Sequence, residues 1–403
     1  MSSRGLLLAI ALGALLALAR WQPALAFDEE HNFAGSAQID YHVVPSEPGS
    51  AVAPSPYTTF QGFTFEAALK VAVDISEHLS ANVKACYGCH GFEMDMAYFD
   101  LRAADELNLR VGRFSPSFGA FNLRHDPANH MTSDKPLPYD MGRMLRKGDW
   151  NNGVLPAPFP TNGAELDGTH WIGNTAQLDY AGYVVMAFKN DTDPDPTDLN
   201  FQESHLNDYL TSDPRPAAGS RLALTLKAGD RADITLGASG MFGTYDPNDR
   251  LTYAIVGGDF ALRVGRTALR MEYLVRRQQM DVTNPDIFKY AIAPVDGDFF
   301  AKHGAYAEVE QPVTDALDLL ARADGMYRVG NVSNAAVGSG NETAAYSPLS
   351  YRSWVARETL AIAYAVERNL RFKGSLELWE FSYPDQAGRE TELSFHVGAV
   401  GSF

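Results

Sequence analysis

Between Gly62 and Ser76 the chain alternates. Phe63, Phe65, Ala67, Leu69, Val71, Val73 and Ile75 fall on one side, and Thr64, Glu66, Lys70 and Asp74 on the other. A repeat of two is that of an extended strand, whose successive side chains point to opposite faces. The same pattern returns far along the chain. Leu107, Leu109 and Val111 interleave with Asn108 and Arg110; Leu222, Leu224 and Leu226 with Arg221, Thr225 and Lys227; Leu269, Met271, Tyr273 and Val275 with Arg270, Glu272 and Arg276. A soluble sandwich would need a second sheet over each apolar face, and no short repeat period supports a solenoid. The pattern predicts an all-β fold, a transmembrane antiparallel β-barrel of about sixteen strands, with lipid on one face of each strand and a wet lumen on the other.

The connections agree. Short turns are read at 76–79, 103–106, 229–231, 265–267, 312–315 and 367–369, and these are placed at the periplasmic rim. Long segments at 44–60, 115–168, 190–218, 282–298 and 331–349 are rich in Pro, Gly, Asp and Asn, as extracellular loops should be. One of them holds the acidic run of residues 191–198, which reads as a solvated loop. An even strand number returns the C-terminus to the periplasm.

Residues 1–26 look like a signal peptide: Arg4, an apolar stretch from Leu6 to Leu18, and a small-residue cleavage site ending Ala24-Leu25-Ala26. Residues 27–403 then form one barrel domain, expected in the bacterial outer membrane among lipid and lipopolysaccharide. No downstream stretch is long and apolar enough for a membrane-spanning helix. The formal charge is −17, and loss of Arg4 and Arg20 with the leader makes it two units more negative. Nucleic acid is thereby excluded as a partner.

The last strand, from Glu392 to Phe403, ends in an aromatic residue in phase with Leu393, Phe395, Val397 and Ala399. It resembles the carboxy-terminal signal of proteins inserted by the barrel-assembly machinery. The stretch from Leu107 through Gly112-Arg113-Phe114-Ser115-Pro116 to Gly119 resembles the strand-to-loop passage of phosphate-selective-type porins. That resemblance covers residues 62–122. It implies sixteen strands, a long third loop folded into the lumen, and a homotrimer. Phosphate specificity is not carried over, because it rests on a lumen crowded with Lys and Arg, whereas here both signs face inwards.

The only two cysteines form Cys86-Tyr87-Gly88-Cys89-His90, a C-x-x-C-H sequence that attaches c-type haem. Cys86 and Cys89 would form thioethers, and His90 would be the proximal axial ligand of a single covalent haem c. The alternative is a Cys86–Cys89 disulfide in a substrate-selective diffusion porin without haem, which leaves His90 unexplained. Zinc is disfavoured, because the neighbourhood lacks further ligands for a tetrahedral site.

Counting from the turn near Leu79 places Asn82, Lys84 and Cys86 in the lumen, with the haem above mid-barrel. The returning strand is read with Phe92, Met94, Met96 and Tyr98 towards lipid, and with Glu93 and Asp95 bordering the haem. His125 and His130, in the third long segment, are the candidates for the distal position on the iron; His42, His170 and His205 remain open. The architecture is similar to that of fused monohaem cytochrome–porins, although in those the haem motif precedes the barrel. The resemblance implies an electron-transfer protein rather than a metabolic enzyme. Its partners would be a periplasmic c-type cytochrome and an extracellular metal ion or other redox partner.

Overall fold

The computed structural model describes residues 31–43, 62–88, 91–140, 153–155, 157–188, 215–229, 231–246, 250–284, 297–330, 353–382 and 389–403. The predicted leader, the acidic run at 191–198, His205, Cys89 and His90 lie outside them. Sixteen antiparallel strands close into one barrel in chain order. They are β1 (His31–Val43), β2 (Gly62–Ser76), β3 (Leu79–Gly88), β4 (Gly91–Ala104), β5 (Leu107–Phe114), β6 (Thr161–Ile172), β7 (Ala176–Met186) and β8 (Pro216–Lys227). They continue with β9 (Ala232–Thr244), β10 (Thr252–Val264), β11 (Thr267–Gln279), β12 (Phe299–Pro312), β13 (Leu317–Gly330), β14 (Trp354–Glu367), β15 (Leu370–Ser382) and β16 (Glu390–Ser402).

Alternation sorts the side chains as the sequence requires. Phe63, Phe65, Leu69, Val111, Leu222, Leu226, Met271, Tyr273 and Val397 are exposed on the outer wall, while Arg221, Glu272, Arg276 and His396 are buried inside. An apolar belt around a polar interior suits a bilayer, where a closed ladder satisfies every backbone group. The barrel resides in the bacterial outer membrane.

The chain closes on itself through β1 and β16, with Ser36 opposite Ser402 and His42 opposite His396. Phe403 extends this ladder by exchanging backbone hydrogen bonds of 3.1 Å with Gly35 in both directions. A Cβ on residue 35 would come within 2.6 Å of the Phe403 ring, which can turn aside, and within 2.9 Å of the Ala68 carbonyl oxygen, which cannot, so the space favours glycine there.

Three expectations need correction. The strand after the third loop begins at Thr161, not after residue 168, and the one after the fourth begins at Pro216. Asn162, Glu165 and Asp167 read as loop because only Ala164 and Leu166 carry the outward apolar phase. The turn at 173–175, between β6 and β7, and the short outer connections at 245–251 and 383–389 went unread. Finally, Lys84 pairs with Met96 but Ala85 with Met94, so β4 carries one extra residue, Asp95. That bulge resets the alternation. Phe99 faces lipid, and Tyr98, expected there, faces the lumen with the Arg110 guanidinium 4.8 Å from its ring centroid. By the same register Met96 shares the lumen side with Lys84.

Candidate functional site

The described parts of the β5–β6 connection, residues 115–160, designated L3, fold into the lumen as the sequence predicts. Its Phe118, Phe121, Leu137, Tyr139, Val154 and Leu155 are buried among wall residues such as Tyr253, Leu274 and Trp379, so the main apolar cluster of the molecule lies inside the barrel.

Polar contacts fasten L3 to the wall all round. On β11, Glu272 accepts hydrogen bonds from Ala120 N (3.1 Å), Phe121 N (2.6 Å), the Tyr139 hydroxyl (2.5 Å) and the Tyr306 hydroxyl (2.6 Å). Four donors on one buried carboxylate meet its desolvation cost. Arg124 of L3 pairs with Glu308 of β12. Fully buried Arg357 on β14 binds Asp324 (2.6 Å), Asp134 of L3 (3.2 Å) and Glu377 (3.5 Å), and donates to the Lys135 carbonyl (2.6 Å). On β15, Lys373 donates to the Pro127 carbonyl at 2.6 Å.

Cys86 lies on the lumen face of β3, as the alternation predicts. Its thiol is free and half-buried, and it donates to Asp95 Oδ2 at 3.6 Å. Glu93 stands opposite it in register, so both carboxylates expected beside Cys86 are there. Cys89, the partner of Cys86 in the alternative expectation of a disulfide, lies outside the described residues.

Two residues below on the same face, Lys84 reaches Asp95 (2.8 Å), Asp126 (2.5 Å) and the Nε2 of His125 (3.3 Å). His125 Nδ1 lies 2.7 Å from the Asn122 carbonyl, which fits the Nδ1–H tautomer with the Nε2 lone pair turned to Lys84. Burial and the Lys84 charge push the imidazole below its ordinary pKa, so His125 is held neutral. Burial opposes ionisation of Asp126 as well, yet the Lys84 charge and hydrogen bond, joined by His125 once acid protonates it, hold its carboxyl down at about 2.

His130, the other distal candidate, takes a different place. Its Nδ1 bonds the Thr132 carbonyl at 2.8 Å, its ring lies 5.9 Å from Phe121, and its Nε2 is buried without a hydrogen-bond partner. Burial, with Lys373, Lys135, Arg124 and Arg322 around it, pushes its pKa well down. Lys373 is on β15, four strands round the wall from β3. Of the two candidates, the fold therefore brings only His125 to the neighbourhood of Cys86. His170 sits exposed near the periplasmic end of β6. His42 lies in the closing seam beside His396 and Asp134, two residues that sequence reasoning missed because nothing local links the first and last strands.

No family model matches the chain, and no curated protein does. Solved structures share its fold. An anion-selective porin from Comamonas acidovorans superposes with a TM-score of 0.53 at 10% identity, over 93% of this chain and 100% of that one. OprB of Pseudomonas putida gives 0.52 at 9% identity, over 93% and 94%. OmpT of Vibrio cholerae gives 0.51 at 8% identity, over 95% and 100%. At such identities the likeness is one of architecture: the chain has the fold of these outer-membrane porins, with the described parts of its third loop folded inside.

Proposed function

We propose that this porin-type barrel carries one covalent c-type haem on the lumen side of the β3–β4 hairpin and passes electrons across the outer membrane. The observation that carries this reading is Cys86: the first thiol of C-x-x-C-H is unbridged, faces the lumen and stands on the strand face to which L3 brings a neutral histidine.

The residues present suit the group. Cys86 and Cys89 would hold it, and His90 would ligate the iron from the proximal side. Asp95 Oδ1 is buried without a hydrogen-bond partner, an acceptor of the kind that orients the second nitrogen of a ligating imidazole. A haem so bound supplies one-electron redox chemistry. Lys84 holds His125 Nε2, the donor suited to a distal position, and would have to release it; His130 is the other candidate. The described parts of L3, packed against the wall, would narrow the passage beside the group. By the same reading a periplasmic c-type cytochrome docks at the lower mouth, an extracellular metal ion or other redox partner meets the upper one, and the chains assemble as a trimer.

A second reading, a narrow diffusion channel, is favoured by the porin fold and by the mixed charges lining the barrel. Both readings meet one experiment: co-expression with a c-type haem maturation system, then haem staining of a denaturing gel and an absorption spectrum. The expected result is a stained band with a c-type spectrum, lost in Cys86→Ala. A colourless band under those conditions overturns the haem and leaves the channel.

A further inference from the structure

Where the barrel closes, three ligand-type side chains from distant parts of the chain converge. His42 of β1 faces His396 of β16, and L3 lowers Asp134 onto the pair. All three are buried, and one ligand atom from each lies within 4.8 Å of the others. The two Nδ1 atoms touch each other, and His396 Nδ1 is 3.8 Å from Asp134 Oδ1.

The far side of each ring is committed. His42 Nε2 shares a hydrogen bond with the Thr64 hydroxyl at 2.9 Å, and His396 Nε2 donates to Glu377 Oε2 at 3.2 Å. Glu377 is itself fixed by Trp379 Nε1 at 3.2 Å. Glu377 selects an Nε2–H on His396, and both Nδ1 atoms aim at one spot, where they share a hydrogen bond with each other. The Asp134 carboxylate adds negative charge beside these two ligand nitrogens. Its Oδ2 accepts from Arg357 at 3.2 Å, leaving Oδ1 on the His396 side. Such a spot attracts an electrophile.

We propose that His42 Nδ1, His396 Nδ1 and Asp134 Oδ1 bind a divalent first-row transition ion of the Zn2+ class, pinning L3 to the closing seam of the barrel. Two imidazoles and a carboxylate are a ligand set for such an ion, whereas Mg2+ and Ca2+ call for oxygen ligands. Ligand bonds of about 2.0–2.1 Å separate donor atoms by roughly 3–4 Å, a range that includes the Asp134–His396 spacing. The imidazoles must part by about 1 Å, within reach of small rotations about their side-chain bonds. Thr64 and Glu377 are the orienting partners that ligating histidines use, Glu377 forming a carboxylate–histidine–metal relay. Three protein ligands leave a fourth position for an exogenous one.

The test uses the mature full-length barrel in detergent, stripped with EDTA, desalted and titrated with Zn2+ by calorimetry, with retained zinc measured by mass spectrometry. The expected result is one zinc per chain, undisturbed by excess Mg2+. Asp134→Asn is expected to weaken binding by 100-fold or more, and Thr64→Val by roughly 10-fold as a lost orienting partner. Both variants keep the histidine seam and so preserve the fold, which heat-modifiability on gels verifies. No zinc retained by the wild type, or unchanged affinity in both variants, overturns the site and leaves the two rings sharing a proton. The reading is independent of the haem, whose metal is iron and is counted separately.

Discussion

The Tyr139 hydroxyl of L3 donates to the Glu272 carboxylate of β11 at 2.5 Å, inside a barrel whose wall is otherwise built from neighbouring strands. With Ala120, Phe121 and Tyr306 as the other donors, this carboxylate is the firmest grip of the wall on the plug.

Tyr139→Phe removes one of the four donors and should weaken docking of L3 by about 1–3 kcal/mol. Glu272→Gln should do more, since its amide would turn a donor towards N–H and O–H groups. Single-channel conductance in planar bilayers is expected to rise in that order. Conductance equal to the wild type in both would mean that L3 does not limit the passage.

Arg357 bridges Asp134, Asp324 and Glu377 away from solvent, with Arg322 as a second cation on Asp324. Arg357→Leu removes the guanidinium that Asp134, Asp324 and Glu377 share, leaving Asp324 with Arg322 at 3.0 Å, and should cost about 3–5 kcal/mol, because breaking a buried pair leaves uncompensated charge. The midpoint of heat-induced mobility change on gels is expected to fall accordingly, and a variant that melts with the wild type would contradict the burial of this cluster.

Gly112 adopts φ +135°, and a Cβ there would meet the Ala97 carbonyl oxygen at 2.4 Å. Both the backbone region and the space demand glycine. Gly112→Ala should therefore destabilise the β4–β5 pair by about 1–3 kcal/mol, read as a lower urea midpoint. Gly173, also at positive φ but with open space around it, should cost less on the same change.

Acidification should release L3 in two stages. His125 and His130 are held below the ordinary value of 6.5, so undocked L3 binds protons that docked L3 refuses, and docking weakens as pH falls below about 6.5. Asp126 has the opposite chemistry but the same direction. Its depressed pKa stabilises the docked loop above the ordinary 3.8, and that contribution disappears as pH falls towards about 2. Conductance measured from pH 8 to 4 should begin to rise near 6.5, and His130→Asn should flatten that rise. A flat wild-type profile would refute the coupling.

Much of this was legible in the sequence because a barrel wall is a local code. Alternation along β2 and β11, and short turns such as 265–266, fix strand phase within a few residues. The phase failed where a bulge entered: the alternation of Phe92 and Met94 gives no sign that Asp95 is the extra residue, so Tyr98 was turned to the wrong side. Cys86 survived because it lies on β3, above no such interruption. L3 could be sent inwards from its resemblance to a porin loop, but its destinations could not. Asp134 meets Arg357 across 223 residues, and His42 meets His396 across 354. Closure of the barrel, rather than any nearby pattern, makes those meetings.

That separation also orders assembly in time. Lys84 and Asp126, 42 residues apart, can find each other once the first strands pair, but the Pro127 carbonyl must wait for Lys373, 246 residues later. Ends that distant meet late, since the entropy of closing the intervening chain has to be overcome first. The barrel must therefore curl and seal around an empty passage, and the loop that stops it settles last, when the final strand delivers the charges it rests on.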